Sequence, residues 1–183
     1  TSNSPTVLDG DFDFTFSIKT DISNDSLDVV YVATRGDIYR SEDGGMNWAK
    51  QLGGANVYYY QYTDVDITTQ GTVYATISSN CTDKGIWRSV DGQNWVNITD
   101  SLFSPIYSRI VIGINPANQN QVYFLAAETT GYGQHSDVFF GGETWTSLWK
   151  YEYISGDGTG NGGQWTDLSA NIPTNQATSF DNF

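Results

Sequence analysis

Apolar and polar positions alternate in short runs along most of the chain, as in Phe14 to Thr20, Val65 to Thr69 and Arg109 to Ile114. No stretch sustains the 3.6-residue spacing of an amphipathic helix, so the pattern predicts strands joined by turns. The strands also recur as a unit. Val30-Tyr31-Val32-Ala33 followed by Ile38-Tyr39-Arg40-Ser41-Glu42-Asp43-Gly44-Gly45-Met46-Asn47-Trp48 returns as Val73-Tyr74-Ala75-Thr76 followed by Ile86-Trp87-Arg88-Ser89-Val90-Asp91-Gly92-Gln93-Asn94-Trp95. A looser third copy runs through Val122-Tyr123-Phe124-Leu125 and Leu148-Trp149-Lys150-Tyr151, with a Gly-rich turn around Asp157 and a closing Trp165. Each unit reads strand, turn, strand, loop, strand, tight turn, strand.

The Val-Tyr pairs recur at roughly 40 to 50 residues, the length of one four-stranded propeller blade. A flat meander of that kind buries both faces by stacking against like sheets. The expected fold is therefore all-β: a partial β-propeller of about three four-stranded antiparallel blades with tight hairpin turns. The blades cover roughly 12–52, 57–99 and 107–168, with 169–183 a linker or the start of a next blade.

Composition agrees. Nineteen glycines and 15% aromatics against 16% charged residues suit short strands and tight turns, and the aromatic content argues against disorder. Eight basic against 21 acidic residues give a net charge of −13, a field that repels phosphate backbones and anionic lipid, so nucleic acid is excluded as a partner class. One cysteine, Cys81, leaves no intrachain disulfide or Cys-rich zinc site, and one histidine, His135, leaves no multi-histidine centre. No apolar run is long enough for a membrane helix, so no membrane insertion is expected. The first residues, Thr-Ser-Asn-Ser-Pro, show neither an initiator Met nor a signal peptide, and a processed or partial chain is expected. Few Lys with much Thr, Asn, Gly and Tyr resembles the composition of exported bacterial surface proteins, which places the chain as secreted or at the cell surface.

Ser41-x-Asp43-x-Gly45-x-x-Trp48 and the shorter Ser89-x-Asp91-Gly92-x-x-Trp95 have a local logic. A short carboxylate accepts backbone N–H groups, Gly takes the positive-φ position, and Trp is expected to anchor the returning strand in the core. These motifs resemble the Asp-box, or bacterial neuraminidase repeat, of sialidases, sortilin-like propellers, xyloglucanases and photosystem assembly factors. The turn is structural and recurs across different functions, and in the sialidase-like families it lies away from the ligand face. Gly85 to Gly92, Ser108 to Ile114, and Ser147 to Tyr151 with Ser155 to Gly158 are similar to the propellers of large exported Bacteroidetes proteins that carry a type IX secretion sorting domain. That resemblance implies a portion of a longer chain, because three units fall short of the roughly 4 to 8 blades of a closed ring. Closure by oligomerisation is the alternative.

A glycosidase needs two carboxylates at a defined separation, and a sialidase also needs an arginine cluster with a tyrosine nucleophile. Only Arg35, Arg40, Arg88 and Arg109 are present. Arg40 and Arg88 hold equivalent places before the two turns and are expected to pack over a neighbour. The Phe-Arg-Ile-Pro motif expected in a sialidase is missing. Asp64 and Asp66 share one strand face and are the weak catalytic candidates, solvated polar residues being the plainer reading. His135 reads as an exposed loop residue. Calcium is the only cofactor left open, at Asp9, Asp11 and Asp13 or at Asp157 and Asn161, where oxygen ligands alternate but a distal Glu is lacking. The tyrosine run from Tyr58 to Tyr62 offers stacking platforms for a sugar, or strand positions buried between blades.

Asp25-Ser26-Leu27 and Asp100-Ser101-Leu102 resemble the O-glycosylation sequon of exported Bacteroidetes proteins, which makes Ser26 and Ser101 candidate glycoprotein sites. Asn24, Asn80 and Asn97 head eukaryotic-type sequons that matter only in a secretory-pathway organism. The reading is a non-enzymatic propeller segment presenting loops to a protein or glycan. The alternatives are a fragment of a sialidase-like or xyloglucanase-like glycoside hydrolase with its catalytic residues elsewhere, and a scaffold component of a surface machine or filament.

Overall fold

The computed structural model describes residues 12–54, 61–128, 131–137 and 143–173. Among them β1 (Thr15–Thr20), β2 (Val30–Thr34), β3 (Ile38–Ser41) and β4 (Ala49–Leu52) form the first antiparallel sheet. The second follows the same order in β5 (Thr63–Ile67), β6 (Val73–Ile77), β7 (Gly85–Ser89) and β8 (Val96–Asn97). A third sheet holds β9 (Tyr107–Ile114), β10 (Gln121–Glu128), β11 (Gln134–Asp137), β12 (Glu143–Tyr153) and β13 (Gly163–Asp167). The fold is all-β, with two single-turn 3-10 helices at Gly160–Gly162 and Ser169–Asn171 as the helical pieces among the described residues. None of the described helices is long and apolar enough to cross a membrane.

The repeat is a repeat of register. Tyr31 pairs with Arg40 in the first sheet, Tyr74 with Arg88 in the second and Tyr123 with Lys150 in the third. On the preceding strand Lys19, Asp66 and Gly113 stand opposite the same three tyrosines. Because side chains alternate with period 2, one shared register sends equivalent residues to equivalent faces.

The third sheet departs from the expected four strands. β12 is 11 residues long; β10 occupies one of its edges, and the other is divided between β11, opposite Glu143 to Thr146, and β13, opposite Trp149 to Tyr153. A long strand thus has edge enough for the connection to add one extra strand while the sheet keeps four positions across.

The sheets stack in chain order. Val65, Val73, Ala75 and Ile77 of the second sheet pack against Ala33 and Ile38 of the first. Tyr74 and Ile86, on the opposite face of the second sheet, pack against Ile110, Val122, Phe124, Ala126, Trp149 and Tyr151 of the third. Every side chain buried in these layers adds about 1.5 to 3 kcal/mol if it is a full Val, Ile or Phe. Polar contacts repeat along with them. Ser17 Oγ donates to the Val65 carbonyl at 3.2 Å, and at the equivalent step the Ile112 N–H donates to Asp64 Oδ2 at 3.0 Å. Thr63 Oγ1 donates to the Thr34 carbonyl, and Thr76 Oγ1 to the Ile110 carbonyl at 2.8 Å.

One face lacks this cover among the described residues. Tyr31 and Tyr74 are each 1% exposed under the following sheet, while their counterpart Tyr123 is half-buried. Leu125 is 44% and Val111 41% exposed on that same face of the third sheet.

Candidate functional site

The two Ser-x-Asp turns fold as their chemistry requires. Asp43 Oδ1 accepts the Asn47 N–H and the Ser41 hydroxyl, each at 2.8 Å, and Oδ2 accepts Asn47 Nδ2 at 2.7 Å. Ser41 Oγ accepts the Gly45 N–H at 2.9 Å. In the second turn Asp91 Oδ1 accepts N–H groups from Gln93 and Asn94 at 2.9 and 2.8 Å and the Ser89 hydroxyl at 3.0 Å, with Asn94 Nδ2 on Oδ2 at 2.7 Å. The Asn47 backbone and side-chain donors, with the Ser41 hydroxyl, hold the Asp43 carboxyl at about 2, below its ordinary 3.8. Asn94 donors do the same to Asp91, well below the usual carboxylate range. Gly45 and Gly92 sit at φ 93° and 71°, a region open to glycine at little cost.

The tryptophans differ from expectation. Trp48 and Trp95 are half-buried rather than sunk in the core. The turn leaves their strands at the sheet margin, where Trp48 leans on Phe12 at 5.2 Å and Trp95 packs on the rim of the first apolar layer.

Equivalent arginines lock neighbouring sheets. Arg40 Nε donates to the Tyr31 hydroxyl at 3.1 Å, and its Nη1 meets Glu42. Gly92 of the next sheet lies on this pair: an added Cβ would collide with the Tyr31 hydroxyl and stand 2.9 Å from Arg40 Nε. Arg88 repeats the position beside the tyrosine of its own sheet, Tyr74, and adds other partners. It is 5% exposed, donates Nη1 to the Asp157 carbonyl at 3.3 Å and lies 4.0 Å from the Tyr153 ring centre. Both arginines therefore pack over a neighbour, as the sequence suggests.

Two grooves open at this end of the sheets. One of about 430 Å³ is walled by Arg40, Glu42, Asp43, Asn47 and Trp48. Another, of about 440 Å³, lies between the β5–β6 and β9–β10 turns, with Tyr74, Arg88 and Tyr153 in its walls. Gln119 ties the two turns together, its Oε1 accepting the Thr69 N–H at 2.7 Å and the Thr69 hydroxyl at 2.9 Å.

Asp64 and Asp66 are committed to different neighbours. Asp64 receives the Ile112 N–H of the third sheet, and Asp66 pairs with Lys19 of the first at 3.0 Å. His135 is not an exposed loop residue: it lies half-buried on β11, stacked 5.2 Å from Trp145, because the edge of β12 recruits the Gly-rich connection as a strand. Asp13 is exposed, while Asp9, Asp11 and the run Tyr58 to Tyr60 lie outside the described residues. Asp157 Oδ1 accepts the Thr159 N–H and hydroxyl at 2.9 and 2.7 Å, and Asn161 is exposed on a 3-10 turn. Among the described residues no three His, Cys, Asp or Glu gather where they could hold a metal. Ser26 and Ser101 are exposed in turns, held by Asn24 and Asp100 caps on neighbouring N–H groups.

The sequence reading passed over Glu128, at the end of β10. Burial pushes its carboxyl up, opposed by the Ser147 hydroxyl on Oε1 at 2.6 Å and by the Ser104 hydroxyl. An acidic residue closing the run Leu125-Ala126-Ala127 is the only sign it leaves in the sequence. No protein-family model, curated protein or solved structure matches the chain.

Proposed function

We propose that the three sheets are consecutive blades of a β-propeller with Asp-box turns, roughly 12–52, 57–99 and 107–168. In this reading they form part of a secreted or surface-exposed bacterial protein that presents its loops to a protein or glycan without catalysing a reaction. The observation that carries the reading is the shared register, together with the repeated inter-sheet bonds from Ser17 to Val65 and from Ile112 to Asp64. Face-to-face sheets in one register are what consecutive propeller blades require, each leaving one face for a successor. In this reading the half-open face of Tyr123, Leu125 and Val111 receives a fourth blade.

The commitment of Asp64 and Asp66 to inter-sheet contacts favours a scaffold over a glycosidase at this spot. Screening the longest natural chain that contains these residues against a glycan array and fluorogenic glycosides tests the reading. Binding without turnover is expected. Turnover abolished by Asp64→Asn or Asp66→Asn overturns it in favour of a glycoside hydrolase.

A further inference from the structure

We propose that the groove over Arg88 binds a carboxylate carried on a saccharide, such as a uronic acid or an acidic glycan end. The two equivalent arginines differ in how their charge is met. Arg40 has a carboxylate two residues on, Glu42, and the matching position after Arg88 is Val90. No carboxylate approaches Arg88 within ion-pair distance among the described residues, although its charge is felt at Asp157, whose Oδ1 is turned to Thr159.

The spacing of the third unit adds a second difference. Serine follows Arg40 and Arg88 directly, but after Lys150 the turn serine, Ser155, comes five positions later. A Cβ added at Gly158 on the longer connection would meet the Tyr151 hydroxyl and Arg88 Cδ, whereas one added at Gly92 would meet the Tyr31 hydroxyl and Arg40 Nε. Among the described residues Arg88 Nε itself has no hydrogen-bond partner, although the Tyr74 hydroxyl lies against the guanidinium. A buried cation without a counterion is costly and is relieved by an oxyanion, which a guanidinium holds with two parallel hydrogen bonds.

The rest of the groove selects what carries that oxyanion. Its volume of about 440 Å³ falls in the range of small-ligand sites. Thr68, Thr72, Gln70, Asn118 and Asn120 line it, and none of its wall residues is Asp or Glu. Hydroxyls and amides both donate and accept, as sugar hydroxyls require. A bare carboxylate would use Arg88 and leave this rim unused, and a neutral sugar would leave Arg88 uncompensated.

The inference rests on the glycan-binding reading for its ligand class and adds a position on the turn end of the sheets. Isothermal titration calorimetry of the full chain at physiological salt, with sodium galacturonate, galactose and sodium acetate as probes, tests it. Galacturonate should bind more tightly than either of the others. Val90→Glu, at a position 64% exposed, gives Arg88 the partner that Arg40 already has and should weaken galacturonate by about tenfold to a hundredfold without unfolding the sheet. Arg88→Gln should abolish binding, and the Val90 variant guards against its simply failing to fold. Galacturonate binding that equals galactose, that equals acetate, or that is unchanged in Val90→Glu overturns the proposal. A glycan-array signal confined to neutral sugars overturns it too, while leaving the binding-scaffold reading standing.

Discussion

The outgoing faces of the first two sheets and of the third have the same backbone address and different fates. Tyr31 and Tyr74 lie beneath a following sheet, whereas Tyr123, at the same register position, is half-buried beside Leu125 at 44% exposed. The residues at these addresses change accordingly. Ala33 and Thr76, which must fit under a neighbour, become Leu125, and the arginine becomes Lys150. Register fixes which way a side chain points, and the neighbouring sheet decides whether pointing that way stabilises anything.

Removing the equivalent tyrosine rings is the strongest way to test this contrast. Tyr74→Ala opens a cavity between Phe124 and Tyr151, whose ring centres lie 6.5 and 6.2 Å away, and should cost about 3 to 5 kcal/mol. Tyr123→Ala removes a half-buried ring that no sheet of the described residues covers and should cost about 1 kcal/mol. Urea midpoints and slopes measured on both variants check the pair, and equal losses would mean that Tyr123 is covered as its counterparts are.

A smaller effect is expected at the turn glycines. Gly92→Ala must hold φ 71° and push its methyl into the Tyr31 hydroxyl, at a cost of about 2 to 4 kcal/mol. Gly156→Ala also has positive φ, 62°, but meets nothing within 4 Å, which leaves about 1 kcal/mol of backbone strain. A thermal or urea scan that ranks them the other way would show that Gly92 does not lie against the neighbouring arginine pair.

Much of this was legible in the chain before folding. Strand positions and the shared register follow from the Val-Tyr and Ile-x-Arg-Ser landmarks, because period-2 patterning and turn chemistry are local. The contacts of Asp43 and Asp91 were equally plain, since the donors lie two to four residues away. Properties that depend on a second sheet were hidden. Trp48 and Trp95 look like core anchors by type, yet their depth depends on how far the neighbouring sheet extends over them. Arg40 and Arg88 look alike in sequence; that Arg88 has no ion pair among the described residues shows only when Glu42 and Val90 are set side by side and the longer third turn is folded onto it. His135 reads as loop because nothing local announces that the edge of β12 will take it up.

The smallest expected effect is in acid, and it separates local turn chemistry from the inter-sheet layers. Asp43 has its folded value depressed to about 2 from 3.8 by hydrogen-bond donors, so the unfolded chain takes up the proton first as pH falls. Its contribution is complete above pH 3.8, declines below that and is gone once the folded carboxyl protonates near 2. Asp91 follows with the same sign. Asp43→Asn should therefore flatten the fall of the urea midpoint between pH 3.8 and 2, leaving the neutral-pH ranking of Tyr74→Ala and Tyr123→Ala unchanged. The depression comes from amide and hydroxyl donors rather than from a cation, so added salt should leave the acid slope nearly as it was. A slope that salt erases would transfer the effect from the turn to long-range charge among the 21 acidic residues, which titrate over the same range.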